Sequence, residues 1–171
     1  SEKMIAEARE RTHDKHIDYV VMDFCEYMAP DDTYDIVTSS LALHYVQDLP
    51  ALLERIYTYL KPHGVFLFSQ EHPLTTAPEA GPEYYHEGQD DMHYMLRGYG
   101  KRGKRDAPWL EQGFTVYHRL FSDIVNDLLE AGFGISEINE PLPSKRAIEQ
   151  NERLQKECHK PSFIIFKTFK P

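Results

Sequence analysis

The chain has 171 residues, about the size of one domain, and its 41% hydrophobic content is enough for a core but lower than a membrane protein needs. The formal net charge of −9 disfavours non-specific binding to nucleic acid, and no apolar run approaches the roughly 18 residues of a membrane-spanning helix. Two distant cysteines and the absence of a signal pattern at the N-terminus favour a reducing compartment, so we expect a cytoplasmic protein without nucleic-acid or membrane partners.

The first third of the chain predicts one helix and two strands. Apolar residues at helical spacing predict an amphipathic helix over residues 1–11, which Ser1 can cap. β-Branched and aromatic residues predict a strand over residues 17–22 that ends at Asp23, and a second strand over residues 34–39.

The middle of the chain predicts a helix followed by a buried strand. Asp48 can cap the helix, and residues 61–64 stop it. The strand over residues 65–68 is nearly all apolar, as is typical of a strand covered on both faces. The apolar stripe of the helix consists of Leu49, Leu52, Leu53, Ile56 and Leu60.

Residues 72–118 differ in composition from the rest of the chain, because Pro, Gly, Tyr, His and charged residues dominate them. Such a long stretch is unusual as a plain connection, so we interpret it as a lid or substrate insertion, with a strand over residues 114–118. Its tyrosines and histidines favour a pocket for a small organic molecule. Five cations lie within residues 97–105, and the glycines between them favour a solvated loop.

The last third predicts a helix after Ser122, an edge strand over residues 135–138, a polar helical segment over 145–159 and a final strand over 162–169. Strands that alternate with helices predict an α/β fold with a largely parallel sheet. No linker interrupts the pattern, so we expect residues 1–171 to form a single domain.

Four segments in the same order resemble class I S-adenosylmethionine-dependent methyltransferases of the small-molecule type, similar to methyltransferase type 11. They are SEKMIAEAR at residues 1–9, YDIVTSSLALHY at 34–45, LKPHGVFLFS at 60–69 and the two final strands. The resemblance implies a Rossmann-like sheet in which the last strand runs antiparallel between its neighbours. It also implies methyl transfer from S-adenosylmethionine to a small organic acceptor.

The resemblance assigns cofactor contacts to the ends of two strands, where ligands of parallel sheets bind. The position of Asp23 implies a carboxylate that accepts a hydrogen bond from the adenine amino group, and Phe24 offers a backbone amide beside it. Ser39, Ser40 and Leu41 lie where the family's backbone passes the methionine part of the cofactor. Met4 can cover the adenine, although a methionine at helical spacing is more often part of a core.

Three histidines and a glutamate are the candidate catalytic residues. His44 and His72 follow the ends of neighbouring strands, and His118 lies in the insertion. A neutral imidazole can take a proton from the acceptor, with Glu71 orienting it. For each histidine alone, a hydrogen-bonded structural role is the simpler interpretation. The same four side chains permit a metalloenzyme as an alternative, but their spacing matches no compact zinc pattern.

The sequence departs from the family in its glycines. No G-x-G pattern follows a strand, and the family's first two strands and the acidic end of its second strand have no counterpart. We therefore expect a sheet that lacks those strands. Three explanations are open: the chain is truncated, the gene product is shortened, or another chain supplies the strands. Unpaired edges would favour a homo-oligomer, and a non-catalytic, partner-binding module stays open. His63 stands where the family usually has glycine, which implies a left-handed backbone.

Overall fold

The computed structural model of the chain describes residues 1–79, 81, 83–86, 92–107 and 114–171. In these ranges the helices are α1 (Glu2–Arg11), α2 (Leu49–Tyr59), α3 (Pro73–Thr76), α4 (Phe121–Glu130) and α5 (Lys145–Gln150), with 3-10 helices at Leu43–Tyr45 and Glu152–Cys158. The strands are β1 (Tyr34–Ser40), β2 (Leu60–Glu71), β3 (Glu83–His86), β4 (Met92–Met95), β5 (Gly103–Ala107), β6 (Phe114–His118), β7 (Gly134–Asn139) and β8 (Phe163–Phe169). None of the helices in these ranges is long and apolar enough to cross a membrane.

A four-stranded sheet with the order β1-β2-β8-β7 forms the centre of the fold. β1 and β2 are parallel, whereas β8 runs antiparallel to both β2 and β7. β1, β2 and β7 therefore run in the same direction, and the final strand β8 runs antiparallel between β2 and β7. This arrangement confirms the predicted α/β fold and its antiparallel final strand. The carboxyl ends of β1 and β2 meet at one edge, where ligands bind in such sheets.

The hydrophobic core lies on one face of this sheet, under α2 and α4. Phe66, Phe68 and Phe166 are at most 1% exposed, and Leu53 and Leu128 from the two helices pack with them. Apolar residues spaced three and four apart make this packing possible, because they lie on one side of each helix.

The opposite face of the sheet is exposed, so the prediction that residues 65–68 are covered on both faces is wrong. Leu67 is 40% exposed and Ile36, on the neighbouring strand, is 63% exposed. Successive residues of a strand point to opposite faces, and α2 and α4 pack only against the side that carries Phe66 and Phe68.

Residues 17–22 do not form the predicted strand. Val20, Val21 and Met22 lie in irregular backbone and are 61%, 50% and 53% exposed. β-Branched residues favour a strand only where a neighbouring strand supplies hydrogen bonds and packing. Among the described strands, β1 is an edge strand that pairs with β2 alone, and none pairs with residues 17–22.

Residues 72–118 contain α3 and two antiparallel hairpins, β3 with β4 and β5 with β6, in their described parts. Residues 80, 82, 87–91 and 108–113 of the predicted insertion lie outside the described residues. The predicted strand over residues 114–118 is confirmed as β6. The polar segment 145–159 is helical in two pieces, since α5 ends at Gln150 and a 3-10 helix begins at Glu152.

Candidate functional site

The carboxyl end of β1 makes a strained turn toward the 3-10 helix that carries His44. Leu41 has a φ of 50°, which is unfavourable for a residue with a branched side chain. Its N–H donates to the carbonyl oxygen of Ser69 on β2 at 2.9 Å, which holds the turn against the neighbouring strand. Strained backbone of this kind persists where surrounding contacts fix it and is concentrated at functional sites.

A groove of about 460 Å³ runs along β1 and is lined mainly by apolar and aromatic side chains. Of the predicted cofactor residues, Phe24 and Ser39 line this groove. Asp23 precedes Phe24, is exposed, and accepts a hydrogen bond from the Cys25 N–H at 2.8 Å. The remaining lining residues include Tyr27, Tyr34, Val37, Ala42, Leu43 and Tyr59.

The other predicted cofactor residues do not line the groove. Ser40 and Leu41 continue β1 beyond Ser39 and form the turn described above. Met4 lies on α1 and is 71% exposed, so the structure does not bring it to the groove. A single methionine in an amphipathic pattern does not predict which part of the protein its side chain will contact.

His44 is buried beside the end of β2. Its Nδ1 accepts a hydrogen bond from the Glu71 N–H at 3.3 Å, and burial lowers the pKa of His44 to about 4. At neutral pH the ring is therefore uncharged, and because Nδ1 is an acceptor, the proton is on Nε2. The ring also packs on Tyr45, with 4.1 Å between centroids. In this state Nε2 is a hydrogen-bond donor, and no ring nitrogen is free to accept a proton.

Glu71 ends β2 beside this histidine. Burial raises the pKa of the Glu71 carboxyl group, and the positive charge of Lys160 partly offsets the increase. Lys160 is 4% exposed, and its Nζ donates to Thr75 Oγ1 at 3.0 Å and to Ser162 Oγ at 2.9 Å. Glu71 is thus a half-buried carboxyl group whose pKa is raised by burial, which makes it the better placed proton acceptor of the four candidate residues.

His72 and His118 use both of their ring nitrogens in hydrogen bonds. His72 Nδ1 accepts from the Leu74 N–H at 3.0 Å, and its Nε2 lies 2.7 Å from Glu140 Oε1. His118 Nδ1 lies 2.8 Å from Thr76 Oγ1, and its Nε2 lies 2.8 Å from the Tyr99 carbonyl oxygen. Burial lowers the pKa of both histidines. The geometry supports a structural role, in which they connect α3 and the hairpins to the sheet edge.

The structure offers no support for the metalloenzyme alternative. Within the described ranges, no three His, Cys, Asp or Glu side chains are arranged to hold a metal ion. The predicted ligands His72 and His118 instead bond to separate partners, Glu140 and Thr76.

The cations of residues 97–105 are paired rather than gathered into a basic surface. Arg102 makes a two-point ion pair with Asp123, at 2.7 and 2.9 Å. Arg105 is buried and donates to backbone carbonyl groups of Ala77 and Lys104, so it is structural rather than part of a solvated loop. The other pairs are Arg97 with Glu83, Lys101 with Glu79 and Lys104 with Asp106.

Three residues near His44 and Glu71 had no role assigned to them from the sequence. Gln70 is 4% exposed, and its Oε1 has no hydrogen-bond partner in the described part of the chain. Arg119 donates to the carbonyl oxygens of Gln47 and Tyr117, at 2.9 and 3.4 Å. The third residue is Lys160. Gln70 could have been identified from the sequence, because it is a polar residue at a buried position of an alternating strand. Arg119 and Lys160 could not, because they lie in connections without periodicity.

Comparisons with known proteins agree with this architecture. The family described as methyltransferase domain matches residues 1–68. A solved S-adenosylmethionine-dependent methyltransferase from Mesorhizobium loti is 33% identical and superposes with a TM-score of 0.92, over 99% of this chain and 77% of that chain.

Two curated relatives match over smaller shares of their own length. An uncharacterized protein of Haemophilus influenzae is 34% identical over 142 residues, which are 82% of this chain and 56% of that protein. The rat mitochondrial arginine-hydroxylase NDUFAF5 is 58% identical over 38 residues, 22% of this chain and 11% of that protein. The chain thus spans just over half of the first relative and a small part of the second. By its fold and its identity to the Mesorhizobium enzyme, the chain belongs to the family of S-adenosylmethionine-dependent methyltransferases.

Proposed function

We propose that the protein transfers a methyl group from S-adenosylmethionine to a small organic acceptor. The observation that carries the proposal is the 0.92 TM-score at 33% identity to the Mesorhizobium enzyme, over almost the whole chain. The groove along β1 and the pair of His44 and Glu71 lie at the carboxyl ends of β1 and β2. That edge is the position at which sheets of this class bind their ligands.

The residues of the groove fit the adenosine part of the cofactor. Phe24 gives an aromatic surface, and Asp23, directly before it, has an exposed carboxylate with acceptor capacity for an amino group. Ser39 lines the same groove, and the turn at Leu41 follows two residues further along the chain. When bound, the cofactor supplies an electrophilic methyl group on a sulfonium centre, so the protein mainly needs to align the acceptor and remove a proton.

Glu71 is the residue that we assign to proton removal. Its raised pKa suits a general base better than that of an exposed carboxylate, because the driving force for proton transfer is larger. His44 is assigned a different role from the one predicted from the sequence. Its Nε2–H group can donate a hydrogen bond to the acceptor, since Nδ1 is engaged by the Glu71 N–H. His72 and His118 are assigned to positioning.

Calorimetric titration with S-adenosylhomocysteine tests the cofactor assignment. We expect one molecule to bind per chain, and Phe24→Ala to weaken binding about ten-fold through loss of aromatic contact. Leu129→Ala, a truncation of an exposed side chain on α4, is the matched control and should leave affinity unchanged. Equal affinities for wild type and Phe24→Ala would contradict the assignment of the groove.

Hydroxylation of an arginine side chain is a second candidate, favoured by the 58% identity of a 38-residue segment to the rat arginine-hydroxylase. The match extends over only 22% of the chain, so we rank it below methyl transfer. Mass spectrometry of reaction products separates the two, because methylation adds a methylene unit and hydroxylation adds an oxygen atom.

A further inference from the structure

A second groove lies at the edge of the sheet where β2 ends and β8 begins. It has a volume of about 420 Å³, which falls in the range of pockets that hold small molecules. Its walls come from the segment between β7 and β8 and from the first residue of β8 itself. We call it the β8 groove, and its apolar lining residues are Pro141, Leu142, Pro143, Ala147, Leu154 and Phe163.

Hydrogen bonds hold the walls of the β8 groove in place. His72 Nε2 lies 2.7 Å from Glu140 Oε1, which ties the residue before Pro141 to the end of β2. Ser144 Oγ accepts from the Ala147 N–H at 3.2 Å and caps α5. The prolines add fixed φ angles to the same wall. A groove whose walls are fixed before binding loses little conformational entropy when a ligand enters, which favours binding.

The β8 groove borders the residue that we assign to proton removal. Phe163 lines the groove and is the strand partner of Glu71, so the two side chains lie on the same face of the sheet with their Cβ atoms about 5 Å apart. β2 lies between β1 and β8, which places Glu71 between the groove along β1 and the β8 groove. A molecule in the β8 groove can therefore extend a polar group to Glu71 and toward a cofactor in the groove along β1.

The charges at the β8 groove disfavour an anionic ligand. Among the described residues that line it, none is a lysine or arginine, and Glu157 is the charged one. Ser162, the other polar lining residue, donates its hydroxyl group to Glu157 Oε2 and accepts from Lys160 Nζ. Lys160 is buried, and its remaining contacts are to Thr75 Oγ1 and the ring of Tyr94. A carboxylate or phosphate would therefore lose its water beside a carboxylate without gaining a cation.

We propose that the β8 groove holds the uncharged, apolar body of the methyl acceptor, with the reactive polar group of that molecule directed to Glu71. This inference rests on the proposed methyltransferase function and specifies the class of its acceptor, a small molecule with an uncharged ring or chain. The groove along β1 is left to the cofactor, so the two substrates enter from opposite sides of the end of β2.

Binding of two matched probes tests the inference without any turnover. 2-Naphthol and 2-naphthoate share the same rings, but the first is uncharged at neutral pH and the second is an anion. Their affinities are measured by ligand-observed NMR with S-adenosylhomocysteine at saturation, so that the groove along β1 is occupied. We expect 2-naphthol to bind about ten-fold more tightly than 2-naphthoate, because the anion would lie beside Glu157 without a cation.

Two substitutions locate the bound probe. Ala147→Phe places a ring in the β8 groove and should weaken 2-naphthol binding at least ten-fold, whereas Ala6→Phe, at an exposed position on α1, should not change it. Leu142→Ala should weaken binding several-fold through lost apolar contact. Its control is Leu129→Ala, because Leu142 and Leu129 are 56% and 53% exposed. Leu142 is a surface residue, so its variant should fold and keeps the test decisive if Ala147→Phe does not fold.

Three results would overturn the inference. They are an equal or tighter binding of 2-naphthoate, a 2-naphthol affinity that Leu142→Ala leaves unchanged, and a dimer that Leu142→Ala dissociates, which would show that a second copy covers the groove. Titration of S-adenosylhomocysteine into the same variants separates this inference from the proposed function. Unchanged cofactor binding without 2-naphthol in the groove overturns only the inference, and the absence of cofactor binding in the wild type overturns the proposed function.

Discussion

Acidification should destabilise the protein through His44, and the effect has a defined pH window. Burial lowers the pKa of His44 from its ordinary value of 6.5 to about 4. In the unfolded chain the imidazole takes up a proton as the pH falls below its ordinary pKa, whereas in the folded protein it stays neutral until the pH nears 4. The unfolded state therefore binds more protons in this interval, so stability is lost as the pH decreases.

The two pKa values set the magnitude of this loss. Each unit of difference between the folded and unfolded pKa is worth about 1.4 kcal/mol, so the loss is about 2 kcal/mol at about pH 5 and about 3 kcal/mol at about pH 4. Little is expected above about pH 7, because His44 is neutral in both states there. His44 is 3% exposed, so screening by solvent reduces the effect little. Burial lowers the pKa of His72 and His118 as well, and they act in the same direction.

Urea unfolding of wild type and His44→Asn across this range isolates the contribution of His44. Asparagine has an acceptor oxygen near the position of Nδ1 and does not titrate, so the bond from the Glu71 N–H can be kept. We expect the stability difference between the two proteins to shift by about 2 kcal/mol in favour of the variant between about pH 7 and about pH 5. His13→Asn, at an exposed position, is the control. A wild-type and a His44→Asn protein with parallel pH profiles would refute the reasoning.

Three backbone and capping positions give further predictions, each measured as the free energy of unfolding. A Cβ atom at Gly134 would lie 2.3 Å from Phe169 Cζ, so Gly134→Ala should destabilise the protein by about 1–3 kcal/mol. The control Gly100→Ala should be close to neutral, because the space there is open, and equal effects of the two substitutions would contradict the packing. His63 has a φ of 66°, so His63→Gly should stabilise by about 0.5–1 kcal/mol, and a loss of stability would show that its side chain contributes. Ser144 Oγ caps α5 by accepting from the Ala147 N–H, so Ser144→Ala should cost about 1 kcal/mol, and an unchanged stability would exclude this cap as a contributor.

The helices and strands with a strong periodic pattern were predictable from the sequence. Features that depend on a neighbouring strand or on a layer that covers the sheet were not. The stripe that includes Leu53 and Ile56 predicted α2, and the left-handed backbone of His63 followed from the residue that the family places there. Residues 17–22 have the composition of a strand but no strand beside them, and composition does not encode pairing. The same limit explains Leu67, since an apolar residue does not tell whether its face of the sheet is covered.

The sequence predicted that His44 and His72 lie near each other, but not the hydrogen bonds that their side chains make. It placed both histidines just past the ends of neighbouring strands, and the structure connects them to the end of β2. The role of each histidine depends on which of its ring nitrogens makes a hydrogen bond and on the partner. Those hydrogen-bond partners lie in segments that are distant in the sequence. Glu140 bonds to His72 across 68 residues of sequence, and no local pattern predicts that contact.

Transfer of a labelled methyl group tests the central claim most directly. The protein is incubated with S-adenosylmethionine carrying a ¹³C-labelled methyl group and with a small-molecule extract of cells, and products are identified by mass spectrometry. We predict stoichiometric formation of S-adenosylhomocysteine and of a small molecule that carries the label, both strongly reduced in Glu71→Gln. A protein that forms no more S-adenosylhomocysteine than a heat-inactivated sample, or that adds oxygen rather than a methyl group, would contradict it.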